Sequence, residues 1–131
     1  MTFFHRFKSN YFETALGFKL TYKKSEVSQW SYKIGDCGGS FDTQNGALSS
    51  PSYPDTYPSS KDCVYTISRP VGNAIVLKFA SIDIYGYDNC AYGDSLEVRD
   101  GISNDSPLLG RLCGMEIPVP IQTSQNKLWM R

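Results

Sequence analysis

The residues with the richest side-chain chemistry lie together at positions 81–101, which read SIDIYGYDNCAYGDSLEVRDG. This stretch holds five acidic side chains, three tyrosines and one cysteine. Clustered carboxylates can bind calcium, which takes about six to eight oxygen ligands, and a pair of carboxylates can act as a general acid and a general base. The same pattern also fits the solvated surface of a β-sheet. The three interpretations are thus a calcium site, a catalytic pair of carboxylates and a solvated surface.

A catalytic role is the easiest of the three to test against the sequence. The pairs Asp94 with Glu97 and Asp83 with Asp88 would need a pocket that shifts the pKa of one carboxyl group. The short loops and strand-rich pattern around them indicate no such pocket, which favours a solvated face. The single histidine is His5, and no GxSxG or HExxH motif occurs. The sequence therefore predicts that this protein is not an enzyme.

Length and charge limit the classes of partner. A chain of 131 residues fits one domain, and its thirteen basic and thirteen acidic residues cancel. No overall field attracts nucleic acid or an acidic membrane, and no stretch reaches the length of a transmembrane segment. We therefore expect no nucleic-acid partner and no direct membrane insertion, and recognition must use specific contacts.

The cysteines indicate an oxidising compartment. Cys37, Cys63, Cys90 and Cys113 are even in number and widely spaced, without the CxxC pair that would suggest zinc or redox catalysis. Two disulfides are the simplest interpretation, and they predict an extracellular protein. The first twenty residues carry charges where a signal peptide needs an apolar core, so this stretch lacks the export signal. We expect a piece of a longer secreted or membrane-anchored protein.

Hydrophobic alternation at period two predicts an all-β fold. GFKLTYK near the start, then CVYTISR, NAIVLKFASIDI and SLEVRD all alternate between apolar and polar side chains. Residues 23–36 are polar and aperiodic apart from Trp30 and Tyr32, which is typical of a linker. The spacing of the strands and turns favours a β-sandwich, with a composition boundary near Asp36.

From residue 37 to residue 131 the chain resembles the CUB domain family. The resemblance lies in CGG, SPSYPDTYP, the cysteine at position 63, ISRPVGNAIVLKF, DIYGYDNCAYGDSLEVRDG and GRLCG, all in the family's order. It implies an extracellular antiparallel β-sandwich of the CUB jelly-roll type, with disulfides Cys37–Cys63 and Cys90–Cys113. The chain resembles the tandem CUB units of an endocytic receptor.

The resemblance also implies a last loop and a last strand, and the residues that resemble them lie near the start of this chain. A CUB domain should continue after LWMR, at 128–131, with a loop of the form F-x-S-D and a strand of the form GFxLxY. Residues 7–22 resemble that part, and FFHR at 3–6 corresponds to LWMR. We therefore predict that residues 1–22 are the C-terminal remnant of a preceding CUB unit, 23–36 a linker, and 37–131 a C-terminally truncated CUB domain lacking its last loop and strand. Residues 17–23 should pair into the vacant edge of the truncated sandwich.

Many CUB domains hold calcium with a glutamate, two aspartates and a tyrosine, and the resemblance allows a position-by-position comparison. Tyr57 and Asp94 match that arrangement, whereas Tyr85 stands at the glutamate position and Asn10 at the final aspartate. One ligand carboxylate of three should weaken affinity past about 10⁻³ M, the weakest extracellular class. Although other aspartates of the stretch could substitute, we expect no metal and no other cofactor.

What remains is a module for protein recognition. Tyr85 and Tyr87, on a glycine-containing loop, are the candidate partner-binding residues, since tyrosine supplies contact area at low entropic cost. Asn104 opens the sequon NDS and is a candidate glycosylation site. We expect a non-catalytic extracellular unit of a multi-CUB protein resembling an endocytic receptor, with an extracellular protein ligand and neighbouring CUB units as partners. The alternatives are a unit accessory to an astacin-type or complement-type protease and a structural spacer.

Overall fold

The computed structural model describes residues 6–9, 15–22 and 30–131, and this part of the chain forms fourteen strands. In order they are β1 Arg6–Lys8, β2 Gly17–Tyr22, β3 Trp30–Gly35, β4 Gly39–Phe41, β5 Asn45–Pro51, β6 Asp62–Cys63, β7 Tyr65–Ser68, β8 Val76–Asp83, β9 Gly86–Tyr87, β10 Tyr92–Gly93, β11 Ser95–Arg99, β12 Leu108–Leu112, β13 Ile121–Gln122 and β14 Lys127–Met130. Over those ranges no helix is long and apolar enough to cross a membrane.

The strands form two large sheets and one small ribbon. The first sheet runs β4-β7-β14-β11-β1-β6 with β12 on the other side of β11, the second runs β13-β8-β2-β5-β3, and β9 pairs with β10 alone. The core combines Phe18, Leu48 and Leu77 of the second sheet with Val98 and Leu128 of the first. This arrangement confirms the predicted all-β sandwich, although β3–β5 and β4–β7 are parallel pairs at sheet edges.

The alternation of β8 places its apolar side chains in the core, with one interruption. Leu77 and Phe79 point inward at period two, and Ile82 rather than Ser81 is the next buried residue. The pairing with β2 shifts register at the same place, from Ser81 to Phe79, so Ala80 is the extra residue of a bulge. Because of the bulge, the inward positions shift by one residue, and Ile82 still faces the core after Leu77 and Phe79.

β2 pairs into the sandwich, as the sequence predicted for this segment, but it lies inside the second sheet and not at its edge. It pairs antiparallel with β5 on one side and with β8 on the other. Phe18 and Leu20 have no exposed surface. The reason is that β5 and β8 flank a gap one strand wide, so β2 satisfies two sets of backbone groups at once. Lys23, the last residue of the predicted pairing, lies outside the described residues.

β14 and β1 lie end to end along β11. Met130 stands opposite Val98, and Phe7 stands opposite Leu96. Between them Arg131 exchanges backbone hydrogen bonds of 2.9 and 3.0 Å with Glu97. The residue positions along β11 are therefore filled consecutively by two ends of the chain.

On the opposite side of β14 and β1 the partner strands β7 and β6 also follow one another, separated by Val64. Met130 pairs with Tyr65 in β7, and Phe7 pairs with Cys63 in β6. Arg6 has the same register partner as Arg131, which agrees with the predicted equivalence of FFHR and LWMR at its last residue. Residues 3–5 of that comparison lie outside the described residues.

Part of the expected linker is a strand. Residues 30–35 form β3, which pairs parallel with β5 at the edge of the second sheet. Trp30 and Tyr32 project from its outer face and stack with ring centroids 5.6 Å apart. Ser31 and Lys33, which alternate with the two aromatics, are polar, so this strand was interpreted from the sequence as part of a linker. Residues 23–29 lie outside the described residues.

Both disulfides join the residues that the family resemblance implied. Cys37, just before β4, is bonded to Cys63 in β6, and Cys90, at the tip of the β9–β10 ribbon, is bonded to Cys113 after β12. The second bond therefore attaches the tyrosine-bearing ribbon to the first sheet.

Candidate partner-binding site

The tyrosines of the acidic stretch lie on the β9–β10 ribbon. Tyr87 and Tyr92 are directly opposite each other in the ladder and stack at 5.5 Å with an interplanar angle of 22°. Each is 56% exposed. Tyr85 packs edge-on against Tyr87 at 6.2 Å. The three rings form one aromatic surface, which we call the tyrosine surface.

Two glycines make this ribbon possible. A Cβ on Gly93, whose φ is +85°, would lie 2.5 Å from the carbonyl oxygen of Tyr85. A Cβ on Gly86 would lie 2.5 Å from the carbonyl oxygen of Asp94. Real Cβ atoms do not approach carbonyl oxygens this closely, so the two strands can meet only at glycines. Their close approach brings Tyr87 and Tyr92 into contact.

The turn between the two strands is unusual in its backbone. Asp88, Asn89 and Cys90 all have positive φ, at 58°, 52° and 62°. Left-handed residues other than glycine are uncommon, although asparagine and aspartate adopt this conformation more readily than most. The amide of Ala91 donates to the carbonyl of Asp88 at 3.0 Å, and the disulfide holds Cys90. The tip of the ribbon is thus fixed by covalent and hydrogen bonds.

A buried polar group supports the base of the ribbon. The Tyr57 hydroxyl donates to Asp94 Oδ2 at 2.7 Å and accepts from the amide of Tyr85 at 3.0 Å. The amide of Asp94 donates to the carbonyl of Tyr85 at 2.6 Å. Burial raises the pKa of Tyr57 well above its usual value, the backbone amide of Tyr85 lowers it in part, and the neighbouring Asp94 raises it further. The hydroxyl therefore stays protonated and remains a donor to Asp94.

These residues do not fit the calcium arrangement of the family. Asp94 and Tyr57, the two residues that match that arrangement in sequence, bond directly to each other, and Tyr85 brings no carboxylate to the glutamate position. Asn10, at the position of the last ligand, lies outside the described residues. Among the residues that are described, no three acidic, histidine or cysteine side chains converge on one point. Calcium prefers several carboxylate oxygens, and this donor set offers one carboxylate.

Glu97 and Asp83, two other acidic residues of the stretch, have structural partners. Glu97 is largely buried and forms ion pairs with Arg99 and Arg111. Asp83 Oδ2 accepts from the amide of Leu16 at 3.2 Å. Asp88 is exposed on the turn of the ribbon. The structure places these carboxylates on strands and at a turn, where Glu97 and Asp83 bind structural partners.

Asn104 lies at the opposite end of the sandwich from the tyrosine surface. β11 begins next to the ribbon and ends before the loop 100–107, so about 16 Å of strand separates them. Asn104 is exposed on that loop, where the amide of Ser106 donates to the carbonyl of Ser103 at 3.1 Å.

The same end contains a shallow polar cleft of about 380 Å³. Its walls include Asp100, Ser124 and Lys127. The carboxylate of Asp100 accepts from the amide of Ser124 at 3.1 and 3.2 Å, so this acidic group serves to join two loops.

Three exposed aromatic side chains were not among the partner-binding residues chosen from the sequence: Tyr92, Trp30 and Tyr32. Tyr92 completes the stack with Tyr87. The sequence feature that could have indicated this stack is the pair of glycines Gly86 and Gly93. Trp30 and Tyr32 form a second exposed stack on β3. Their spacing of two residues in the sequence could have indicated that both lie on one face of a strand. Tyr85 and Tyr87, the partner-binding candidates from the sequence, pack against each other at the start of the ribbon, where Tyr87 belongs to β9.

The chain is similar to domains of large proteins. A family model, described as the CUB domain, matches residues 37–131. Tolloid-like protein 1 of Homo sapiens is 46% identical over 95 residues, which cover 72% of this chain and 9% of that protein. Bone morphogenetic protein 1 of Xenopus laevis is 44% identical over 95 residues, covering 72% of this chain and 13% of that protein. Cubilin of Homo sapiens is 39% identical over 102 residues, covering 78% of this chain and 3% of that protein.

The chain thus spans a small part of each of these relatives, and the match concerns the domain alone. The family model covers well over half of the chain, and the matched region contains both disulfides and the tyrosine surface. The two-sheet sandwich agrees with this assignment. The chain belongs to the CUB domain family.

Proposed function

We propose that this chain is a non-catalytic extracellular recognition module that binds a partner protein through its tyrosine surface. The observation that carries the proposal is the stack of Tyr87 and Tyr92, each 56% exposed, on a ribbon that a disulfide and two obligatory glycines hold in place. Exposed aromatic side chains on a rigid support lose little entropy on binding, and tyrosine is enriched at binding hot spots.

The hydrogen bonds at the base of the ribbon support a binding site that works without a metal ion. In calcium-binding domains of this family the ion orders the binding loops. Here the Tyr57–Asp94 hydrogen bond lies at the base of the ribbon, with the amide of Tyr85 as a third member. We infer that this bond supplies the order that calcium supplies elsewhere, so the partner contacts the tyrosine surface directly.

The test is binding of the purified chain to an array of secreted proteins and receptor ectodomains. The double variant Tyr87→Ala/Tyr92→Ala should lose at least about tenfold in affinity for the proteins that the wild type binds, since central aromatic residues dominate interface energies. Biosensor measurements of the dissociation constant give the comparison.

The chain offers a matched control in its second stacked pair. Trp30→Ala/Tyr32→Ala removes exposed aromatic area of similar size from β3 and should leave affinity within about twofold. Loss of binding in this control alone would move the site to β3. Unchanged affinity in both variants would leave the module as a structural spacer, and the recognition proposal would be wrong.

The role of the parent protein has two candidates. An endocytic receptor built of tandem CUB units is the first, and the match with cubilin supports it. A CUB unit accessory to a secreted astacin-type protease is the second, and the higher identity to tolloid-like proteins and bone morphogenetic protein 1 supports that role. Sequencing the full transcript discriminates them, because an HExxH protease domain belongs only to the second.

We also propose that Asn104 carries an N-linked glycan. Its exposure on the loop 100–107 leaves the side chain accessible, and a sequon in an extracellular protein is the acceptor that glycosylation requires. A glycan there would lie about a strand length from the tyrosine surface and would leave that surface uncovered.

The proposal for the domain organisation is that residues 1–22 derive from the end of a preceding CUB unit. The support is their motif, which resembles the closing part of a CUB domain, together with the position of β1 and β2 between strands of the region 37–131. Neighbouring CUB units are then covalent partners of this one.

A further inference from the structure

The N-terminal part of the chain fills a gap in each sheet. β2 lies between β5 and β8, and β1 lies between β11 and β6. Phe7, Phe18 and Leu20 have no exposed surface. Removing these strands would deprive four other strands of a pairing edge and the core of three fully buried side chains. We call residues 6–9 and 15–22 the closing segment.

The gaps are shaped for this segment. Gly17 has a φ of +80°, and a Cβ there would lie 2.0 Å from Ser50 Oγ. The Ser50 hydroxyl accepts from the amide of Phe18 at 2.9 Å and donates to its carbonyl at 3.2 Å. Near the other end, Ser9 Oγ accepts from the amide of Lys61 at 3.0 Å. A segment without these features could not make the same contacts.

Residues 23–29, which we call the tether, join the closing segment to β3. Tyr22 stands opposite Gly46 and Trp30 opposite Asn45, so both ends of residues 23–29 lie at the same end of β5. Strands two places apart are about 10 Å from each other, whereas eight consecutive peptide units can extend to about 28 Å. The tether is therefore longer than the pairing within one chain requires.

We propose that the closing segment of one copy can complete the sandwich of a second copy of this chain, so that copies exchange β1 and β2. Every contact that the segment makes within its own chain has an identical counterpart in the other copy, and exchange costs no contact in the folded state. Because the segment belongs to the same chain as its own gap, the unexchanged form is favoured in dilute solution. The exchanged form is populated when a copy cannot use its own segment.

Two full-length variants test this exchange. Leu20 in β2 and Leu48 in β5 are register partners, and both are fully buried. Leu20→Asp places a carboxylate in the closing segment, and Leu48→Asp places one in the gap that receives it. Each variant alone should lose its native near-ultraviolet circular dichroism, because an unpaired charge would be buried in the core.

Mixing the variants should restore the fold. The intact segment of the Leu48→Asp copy enters the intact gap of the Leu20→Asp copy, which yields one complete sandwich for every two chains. We expect about half of the wild-type signal at equal total concentration, in a species with the mass of two chains by light scattering. This result reports fold and mass alone and is independent of partner binding at the tyrosine surface.

The control mixture combines Leu20→Asp with Phe18→Asp, which contains two intact gaps and no intact segment. It should remain non-native. Equal signals in the two mixtures, or a restored signal at the mass of one chain, would overturn the proposal. If Leu20→Asp alone keeps the native signal, Phe18→Asp/Leu20→Asp takes its place, with Phe7→Asp/Phe18→Asp as the second member of the control.

Discussion

At the scale of single residues, the hydroxyl of Tyr57 joins the core to the tyrosine surface. Tyr57→Phe removes the donor to Asp94 and the acceptor for the amide of Tyr85. Each of those buried groups loses a partner, so we expect a loss of about 1–3 kcal/mol in the free energy of unfolding, measured by urea denaturation. Tyr87→Phe removes an exposed hydroxyl and should change the free energy of unfolding by less than about 0.5 kcal/mol. Equal losses would show that the Tyr57 hydrogen bonds contribute nothing specific.

The ligand chemistry of Asp94 leads to a second expectation at this scale. Its carboxylate bonds to Tyr57, and Tyr85 stands where the family's calcium arrangement has a glutamate. A ligand that binds only the folded state must raise the melting temperature. We expect the thermal midpoint to stay unchanged between chelator and millimolar calcium, as measured by differential scanning calorimetry. A saturable rise with calcium, absent with magnesium, would contradict this expectation.

At the scale of elements, the β9–β10 ribbon depends on the absence of a side chain at Gly93. Gly93→Ala would carry both the cost of a positive φ and a Cβ placed 2.5 Å from the Tyr85 carbonyl oxygen. Gly72→Ala is the matched control, because its φ is +99° and no atom lies within 4 Å of the added Cβ. The control should lose about 1 kcal/mol of unfolding free energy in urea, and Gly93→Ala clearly more, since the strands must separate. Equal losses would show that the ribbon accommodates the methyl group.

The elements also show how far a sequence can be interpreted without a structure. Alternation at period two predicted β7, β8 and β11, because each has one face in a core. It could not place β2 in the interior of a sheet, since strand order depends on pairings between residues far apart in sequence. It also missed the bulge at Ala80, where the alternation changes phase.

The tyrosine surface shows the same division between local and long-range information. The sequence placed Tyr85 and Tyr87 on one loop, but the stack with Tyr92 depends on three consecutive left-handed residues that are not glycines. Nothing in their residue types requires that conformation. The disulfide at Cys90 and the bonds below the ribbon select it, and these are properties of the folded domain.

At the scale of the whole molecule, chain order and spatial order differ at one junction. β14 and β1 follow one another along β11, so that Met130, Arg131 and Phe7 take consecutive positions opposite Val98, Glu97 and Leu96. The ion pair from Arg131 to Asp62 lies beside this junction at 2.6 Å. Arg131 has a raised pKa because it hydrogen bonds to Asp62. The register along β11 therefore runs without a gap from β14 to β1, although these two strands lie far apart in the sequence.

This continuity predicts that a rearranged chain adopts the same fold. In a permutant that begins at residue 30, Arg131 would be followed directly by Phe7 and the chain would end at residue 22. Because Phe7 already holds the next register position along β11, the peptide bond should close without moving either strand. We expect the two disulfides to form and the urea midpoint to match the original chain. The matched control inserts one alanine between Arg131 and Phe7, which shifts the register by one residue and turns Phe7 out of the core. A permutant no more stable than this control would show that β14 and β1 do not form one continuous strand.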